Sequence, residues 1–188
     1  MKFLRKDKTK DMLIKILDTA LEISGNLLEI SFTTRPGRLL YNPFYKEMQM
    51  EKERLHFEYL KRKGLLREYS TPSAENVIYC MTSNGTCLAV LEKMRVIVKG
   101  PLKWDGRWRG IVFDIPEKKR VVRDFLRRYL HELGCYQLQK SIWITPYNIT
   151  KYLKVYIQNA KLSKWVNIIE INDIYPHNES LKKKFSIK

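Results

Sequence analysis

The sequence predicts an α+β fold in two parts, on the basis of two element orders. Hydrophobic spacing in the first half gives helix, short helix, longer helix, β-hairpin and helix, which is the order of a winged helix-turn-helix. The second half gives β-α-β-β-α-β, the order of a ferredoxin-like fold. We therefore predict an N-terminal winged helix-turn-helix followed by a ferredoxin-like βαββαβ domain.

A strong excess of positive charge is the third observation. The 188 residues include 36 Lys and Arg against 20 Asp and Glu, a formal net charge of +16, and most of the excess lies after residue 95. Such an excess favours a polyanionic partner, nucleic acid before membrane, because each neutralised phosphate releases counterions. The alternative is that the charge serves only solubility.

The remaining composition is that of a folded cytoplasmic protein without a membrane partner. Hydrophobic residues make up 44% of the chain, but no apolar run approaches the roughly 20 residues of a membrane span. Cys80, Cys87 and Cys135 are scattered and lack CxxC spacing. We expect buried free thiols rather than disulfides or a zinc site.

The first half begins with a helix that Thr9 caps and Gly25 ends. A second, short helix is expected over Leu27–Phe32. The third is predicted within Glu51–Lys63 and is closed by Gly64. The hairpin strands and the opening of the last helix follow, at 66–69, 77–81 and Thr82-Ser-Asn-Gly85.

In a winged helix-turn-helix the third helix lies in the DNA major groove. The hairpin can supply few phosphate contacts, because no Lys or Arg occurs between Arg67 and Lys93. The DNA contacts are therefore predicted to come mainly from Lys46, Lys52, Arg54, Lys61, Arg62 and Lys63. The alternative is a helical domain in which these cations form a solvated face.

The second half opens with a buried strand at Ile111–Phe113, after a connector, Arg95–Leu102, with some strand character. Pro116 then starts an amphipathic helix with a strongly basic outer face, which Gly134 ends. Two short strands or one bent ribbon follow, then a helix from Tyr147, a last strand and a possible helix in the tail. The predicted boundaries are a DNA-binding domain at 1–95, a linker at 96–102, a dimerisation domain at 103–175 and a tail at 176–188.

Three phrases in this half carry a family resemblance: W-D-G-x-W-R, F-D-I-P-E and L-Q-x-S-x-W, all between Lys103 and Tyr147. Together they closely resemble the central domain of the PaaX-like transcriptional repressors. That domain in turn looks like a small ferredoxin-like CRISPR-associated endonuclease. The family also has an N-terminal winged helix. We expect a short form that lacks the family's additional C-terminal domain, so its acyl-CoA effector binding is not carried over and any effector stays unknown.

The role of Asp114 distinguishes a nuclease from a regulator. In the resembling nucleases an Asp at the end of the first strand is the proposed metal ligand, and Asp105 and Glu117 stand near it in the sequence. Asp114 is equally suited to cap the helix at Pro116 or to packing, and we favour this role. The rest of the sequence contains no recognisable catalytic, metal-binding or cofactor-binding motif, so we predict no catalytic residues, metal or cofactor.

The four tryptophans leave a similar choice. Aromatic side chains can stack on nucleic-acid bases, and this is one possible role for Trp104, Trp108, Trp143 and Trp165. Their placement at strand ends and in alternation with Ile is more typical of core or interface, which we expect.

The predicted function is that of a sequence-specific DNA-binding transcriptional regulator, a repressor that binds double-stranded DNA as a homodimer. Pairing through the open sheet face would match a palindromic operator. The alternatives are a metal-dependent nuclease or CRISPR adaptation component that uses Asp114, and an RNA-binding protein.

Overall fold

A computed structural model describes residues 8–24, 31–33, 57–70 and 77–187 of the chain. The chain divides into two compact units, Met1–Glu92 and Lys93–Lys188. Among these described residues, no helix has both the length and the apolarity to cross a membrane.

The first unit contains three helices and three strands in the described ranges. They are α1 (Lys8–Ser24), β1 (Ser31–Thr33), α2 (described at 57–62), β2 (Leu66–Ser70), β3 (Val77–Met81) and the start of α3 (Ser83–Lys99). The strands form an antiparallel sheet in the order β1-β3-β2. α1 buries Met12, Leu13, Ile16 and Leu17 at the predicted helical spacing.

The short helix predicted over Leu27–Phe32 is wrong where the structure describes it. Ser31 and Phe32 lie in β1, with Phe32 opposite Tyr79 of β3. A helix this short gains little from its own hydrogen bonds, so pairing with a distant strand decides the conformation. That partner could not be identified from local spacing.

The second unit contains the predicted βαββαβ order. Its elements are β4 (Trp108–Phe113), a 3-10 turn (Glu117–Lys119), α4 (Arg120–Glu132), β5 (Tyr136–Gln139), β6 (Ile142–Thr145), α5 (Thr150–Asn159), β7 (Val166–Ile171) and α6 (Asn178–Lys184). The sheet is antiparallel, with the order β5-β6-β4-β7. This arrangement confirms the ferredoxin-like fold.

The connector Arg95–Leu102 differs from its prediction, because α3 continues to Lys99. The expected strand character is wrong, and most of the predicted linker 96–102 is helical. Ile97 and Val98 are half-buried and extend an apolar stripe that already includes Val90, Leu91 and Met94, all buried, whereas Val96 is 55% exposed. Continuing an existing helix adds one hydrogen bond for each residue fixed, which outweighs a weak β propensity.

The two faces of the second sheet are covered differently. Ile111 and Phe113 point to the α4 face, where the Arg127 guanidinium lies 5.9 Å from the Phe113 ring centroid. On the opposite face α6 packs Leu181 against Trp108 and Ile144, and the Trp108 Nε1–H donates to Asn178 Oδ1 at 2.8 Å. The predicted tail thus covers part of the face expected to pair two copies.

Two cysteines are held as neutral thiols by burial. Burial raises the pKa of Cys135 to about 12 and that of Cys87 to about 11. The pKa of each thiol is higher in the folded than in the unfolded state. The free energy of unfolding is therefore highest below the unfolded pKa near 8.5, and it falls as pH rises towards the folded pKa.

We therefore expect Cys135 to resist alkylation by iodoacetamide at pH 8 in the native protein, because the reactive thiolate is scarce and enclosed. Mass spectrometry over a urea series should show its labelling rising together with loss of tryptophan fluorescence. Rapid labelling of Cys135 without urea would contradict the buried thiol.

Candidate nucleic-acid interface

The C-terminal end of α2 is the part of the predicted DNA-contacting segment that the structure describes. Phe57 and Leu60 are buried, whereas Arg62 and Lys63 are exposed. Gly64 ends the helix with φ at 67°, and the Leu65 N–H donates to Leu60 O at 2.9 Å. Glycine is favoured here because it adopts a positive φ without steric cost.

A joint between α2 and the start of α3 positions this end, and we call it the Gly64–Gly85 joint. The Thr82 hydroxyl donates to Gly64 O at 2.7 Å and accepts from the Gly85 N–H at 3.1 Å. The Thr82 N–H donates to Leu65 O at 3.0 Å. The segments at Gly64–Leu65 and Thr82–Gly85 are therefore two sides of one contact. The sequence predicted a helix end at Gly64 and a helix start at Thr82–Gly85, but not that the two meet.

Gly85 is indispensable to this joint for a steric reason. A Cβ at Gly85 would lie 2.1 Å from Leu65 O and 3.0 Å from Leu65 C. Only a residue without Cβ permits this backbone approach. The joint thus fixes the direction in which the last turn of α2 presents its side chains.

The three described cations predicted to contact DNA are not equivalent. Lys61 pairs with Glu58 at 3.0 Å and also with Glu68, and these carboxylates raise the pKa of Lys61, with Glu68 the larger cause. Arg62 makes no ion pair within the described residues, and Lys63 Nζ lies 5.6 Å from the Tyr59 ring centroid. The predicted contacts Lys46, Lys52 and Arg54 lie outside the described residues.

The W-D-G-x-W-R phrase of the second unit builds a structural turn. Asp105 Oδ1 accepts from the Arg107 N–H at 3.2 Å, and Gly106 takes φ at 80°. The Trp104 Nε1–H donates to Arg107 O at 3.1 Å, and the Trp104 and Trp108 rings lie 5.5 Å apart.

The same turn pairs Asp105 with the buried Arg109. Arg109 Nη1 donates to Asp105 Oδ1 at 2.6 Å, and Nη2 donates to the other carboxylate oxygen. This pair was missed from the sequence, although Asp and Arg four residues apart were a visible signal. The turn at Gly106 and this pair together account for the Asp, Gly and Arg of W-D-G-x-W-R without any ligand.

Within the described residues, no group of metal ligands lies around Asp114. Its side chain is exposed, and its backbone N–H donates to Trp165 O at 2.9 Å. The two carboxylates near it in sequence are paired with arginines, Asp105 with Arg109 and Glu117 with Arg123. Within the described ranges, no three His, Cys, Asp or Glu side chains come together as a metal-binding group.

The capping role expected for Asp114 is wrong. A 3-10 turn, Glu117–Lys119, begins after Pro116 and has no side-chain cap hydrogen bond. The turn stands between Asp114 and α4, and Arg123 Nη1 instead donates to the Ile115 carbonyl at 3.3 Å. The core role expected for the tryptophans is confirmed for Trp108 and Trp143, which are buried.

The basic outer face predicted for α4 exists, but much of its charge is compensated. Arg120 lies 3.5 Å from Asp124 and 3.9 Å from Glu117, and Arg127 lies 3.8 Å from Asp124. Arg123 pairs with Glu117 at 2.7 Å. These pairs, within α4 and with Glu117 of the preceding 3-10 turn, reduce the positive field that α4 offers to a polyanion.

Comparison with known families gives one result. Residues 101–182 match the family model described as the PaaX protein central Cas2-like domain. No curated protein and no solved structure matches the chain significantly. The match covers all three sequence phrases and every element from β4 to β7.

Proposed function

From the match of residues 101–182 to the PaaX central Cas2-like domain, we propose that the chain is a PaaX-like, sequence-specific DNA-binding transcriptional regulator that represses as a homodimer. The match at residues 101–182 is the observation that carries the proposal, because PaaX proteins are transcriptional regulators. The net charge of +16 agrees with a nucleic-acid partner.

The first unit supports the DNA-binding part of the proposal. The order α1, β1, α2, β2, β3, α3 with the sheet order β1-β3-β2 agrees with a winged helix-turn-helix. In that fold the helix before the hairpin enters the major groove. Here this helix is α2, whose last turn exposes Arg62 and Lys63 next to the Gly64–Gly85 joint.

The proposed homodimer would place two α2 helices on one duplex. Half-sites separated by about one helical turn, roughly 34–36 Å, would then form an inverted repeat. Ile169 of β7 is 43% exposed on the sheet face opposite α4, next to the part that α6 covers. This apolar side chain is where we propose that two copies meet.

The direct test is DNase I protection of the promoter adjacent to the gene. We expect an inverted repeat to be protected at sub-micromolar protein, and light scattering to give twice the mass of 22.5 kDa. Binding that never exceeds binding to random duplex would overturn the proposal. The assay is repeated with EDTA and with Asp114→Ala. DNA cleavage that requires a divalent ion and disappears in this variant would indicate a nuclease instead of a regulator.

The contribution of α2 can be tested by removing single charges. We expect Arg62→Gln and Lys63→Gln each to lower operator affinity about fivefold and the salt slope by about 0.9, as for one lost phosphate contact. Fluorescence anisotropy at several salt concentrations measures both quantities. Lys61→Gln is the matched control, because it removes the same charge from an ammonium already paired with Glu58 and Glu68. Equal losses in all three variants would contradict this placement of the interface.

A further inference from the structure

The second unit contains a stretch of sequence whose basic residues, unlike those of α4, have no acidic residues among them. No Asp or Glu occurs between Glu132 and Glu170, while this stretch holds Lys140, Lys151, Lys154, Lys161 and Lys164. An ion pair of any of these lysines would therefore need a carboxylate from elsewhere in the fold. Charge is thus unevenly distributed within the unit.

Three of these lysines lie on or just after α5, and we call them the α5 lysine stripe: Lys151 and Lys154 within the helix, and Lys161 in the turn that follows it. They are exposed, as is Gln158 between them. Spacings of three and four residues from 151 through 154 to 158 place these positions on one side of α5. Lys161 lies two residues beyond the end of the helix, with φ at 55°. None of the three lysines makes an ion pair with any residue in the described ranges, in contrast to Arg120, Arg123 and Arg127 of α4.

We propose that the α5 lysine stripe is a second DNA contact, which binds the phosphate backbone of a duplex independently of its sequence. A rise of 1.5 Å per residue puts positions 151 and 158 about 10 Å apart along the helix. One strand carries a phosphate about every 3.4 Å of duplex axis, so this length of helix corresponds to about three phosphates. Flexible ammonium groups suit such contacts, because they bind phosphate as point charges.

The buried side of α5 favours nucleic acid over an anionic membrane. Helices that bind membrane surfaces insert an apolar face among the lipids. The apolar residues of α5, Leu153, Val155, Tyr156 and Ile157, are already buried in the unit. Only the charged side is available, and a duplex backbone is the polyanion that such a surface can bind without insertion.

The inference rests on the proposed function for the identity of the polyanion as DNA. Its test uses the full chain and the variant Lys151→Gln/Lys154→Gln/Lys161→Gln. The control is Arg107→Gln/Arg120→Gln/Lys182→Gln, which removes the same charge from the same unit. Each control cation is paired with a carboxylate, Arg107 with Glu170, Arg120 with Asp124 and Lys182 with Glu179.

Anisotropy with a random duplex of about 30 base pairs measures the effect at several salt concentrations. We expect the stripe variant to lose about 10- to 100-fold in affinity and to lower the salt slope by about 2 to 3, which corresponds to three lost contacts. The control should change affinity by less than about threefold. Tryptophan fluorescence in urea shows whether both variants retain the folded second unit.

Each outcome bears on one proposal. Equal losses in the stripe variant and the control would overturn the stripe as a DNA contact. So would unchanged DNA binding accompanied by lost binding to phosphatidylserine vesicles, or a loss confined to duplex RNA. If the stripe variant loses affinity for random duplex as expected but the wild type prefers no operator, the stripe is supported as a DNA contact and the proposed sequence-specific regulator is contradicted.

Discussion

Gly85→Ala is expected to unfold the first unit under conditions in which the second unit stays folded. The new Cβ would lie 2.1 Å from the Leu65 carbonyl oxygen, and a backbone atom cannot rotate away as a side chain can. Relief would require separating the start of α3 from Gly64 and Leu65, with loss of the Thr82 hydrogen bonds. We expect a loss of about 3 kcal/mol or more in the free energy of unfolding, at the upper end for overpacking.

The distribution of tryptophans makes this prediction selective. All four, Trp104, Trp108, Trp143 and Trp165, lie in the second unit, so their fluorescence reports that unit, whereas far-ultraviolet circular dichroism reports both. In Gly85→Ala the dichroism transition should gain an early phase while the fluorescence midpoint stays fixed. Gly100→Ala is the matched control, because its Cβ would meet nothing closer than 3.4 Å. A single unchanged dichroism transition in Gly85→Ala would contradict the steric role of Gly85.

The Gly64–Gly85 joint shows what local sequence patterns can and cannot predict. Hydrophobic spacing correctly ended α2 at Gly64 and started α3 after Thr82, because caps and apolar stripes are local properties. It could not show that Thr82 bonds to Gly64 O, which is 18 residues away in the chain. Strand β1 was missed for the same reason, since β3 is its only described partner.

Charges in the second unit show a related limit. The spacing of apolar residues predicted α4 and its basic outer side, and both are present. Whether a cation is available to a ligand depends on the carboxylates that the fold brings near it. Arg120 and Arg127 share Asp124. Lys151 and Lys154 of α5, in contrast, lie in a stretch, 133–169, that contains no Asp or Glu. The helix predicted to be the more basic surface is thus the more compensated one.

Removing the carboxylate of Asp105 should destabilise the second unit more than removing any exposed ion pair. Arg109 is 1% exposed, and its Nε already lacks a partner within the described residues. Asp105→Ala would leave its guanidinium only the Arg107 and Pro146 carbonyls, at 2.9 and 3.4 Å. Breaking a fully buried pair costs about 3–5 kcal/mol. We expect about 2–3 kcal/mol here, because the Asp105 side chain is 43% exposed.

The tryptophan fluorescence midpoint in urea measures this loss. Glu170→Gln is the control, because it breaks the pair with Arg107, whose side chains are 58% and 41% exposed. It should cost no more than about 0.5 kcal/mol. Asp105→Ala/Arg109→Met should recover part of the loss, since an apolar side chain of similar length removes the unpaired charge. A double variant less stable than Asp105→Ala would indicate that packing by the Arg109 stem, and not its charge, dominates.

Acid titration identifies the ion pair as the source of the stability. The hydrogen bonds from Arg109 lower the pKa of Asp105 below its usual range. A depressed carboxyl pKa stabilises the folded state fully above the unfolded pKa near 3.9, and the stabilisation is lost as pH falls through the folded pKa. The stability difference between wild type and Asp105→Asn should therefore be constant above about pH 5 and should shrink below about pH 4. A difference that is as large at pH 2.5 as at pH 7 would show that Asp105 acts through the turn at Gly106 rather than through its charge.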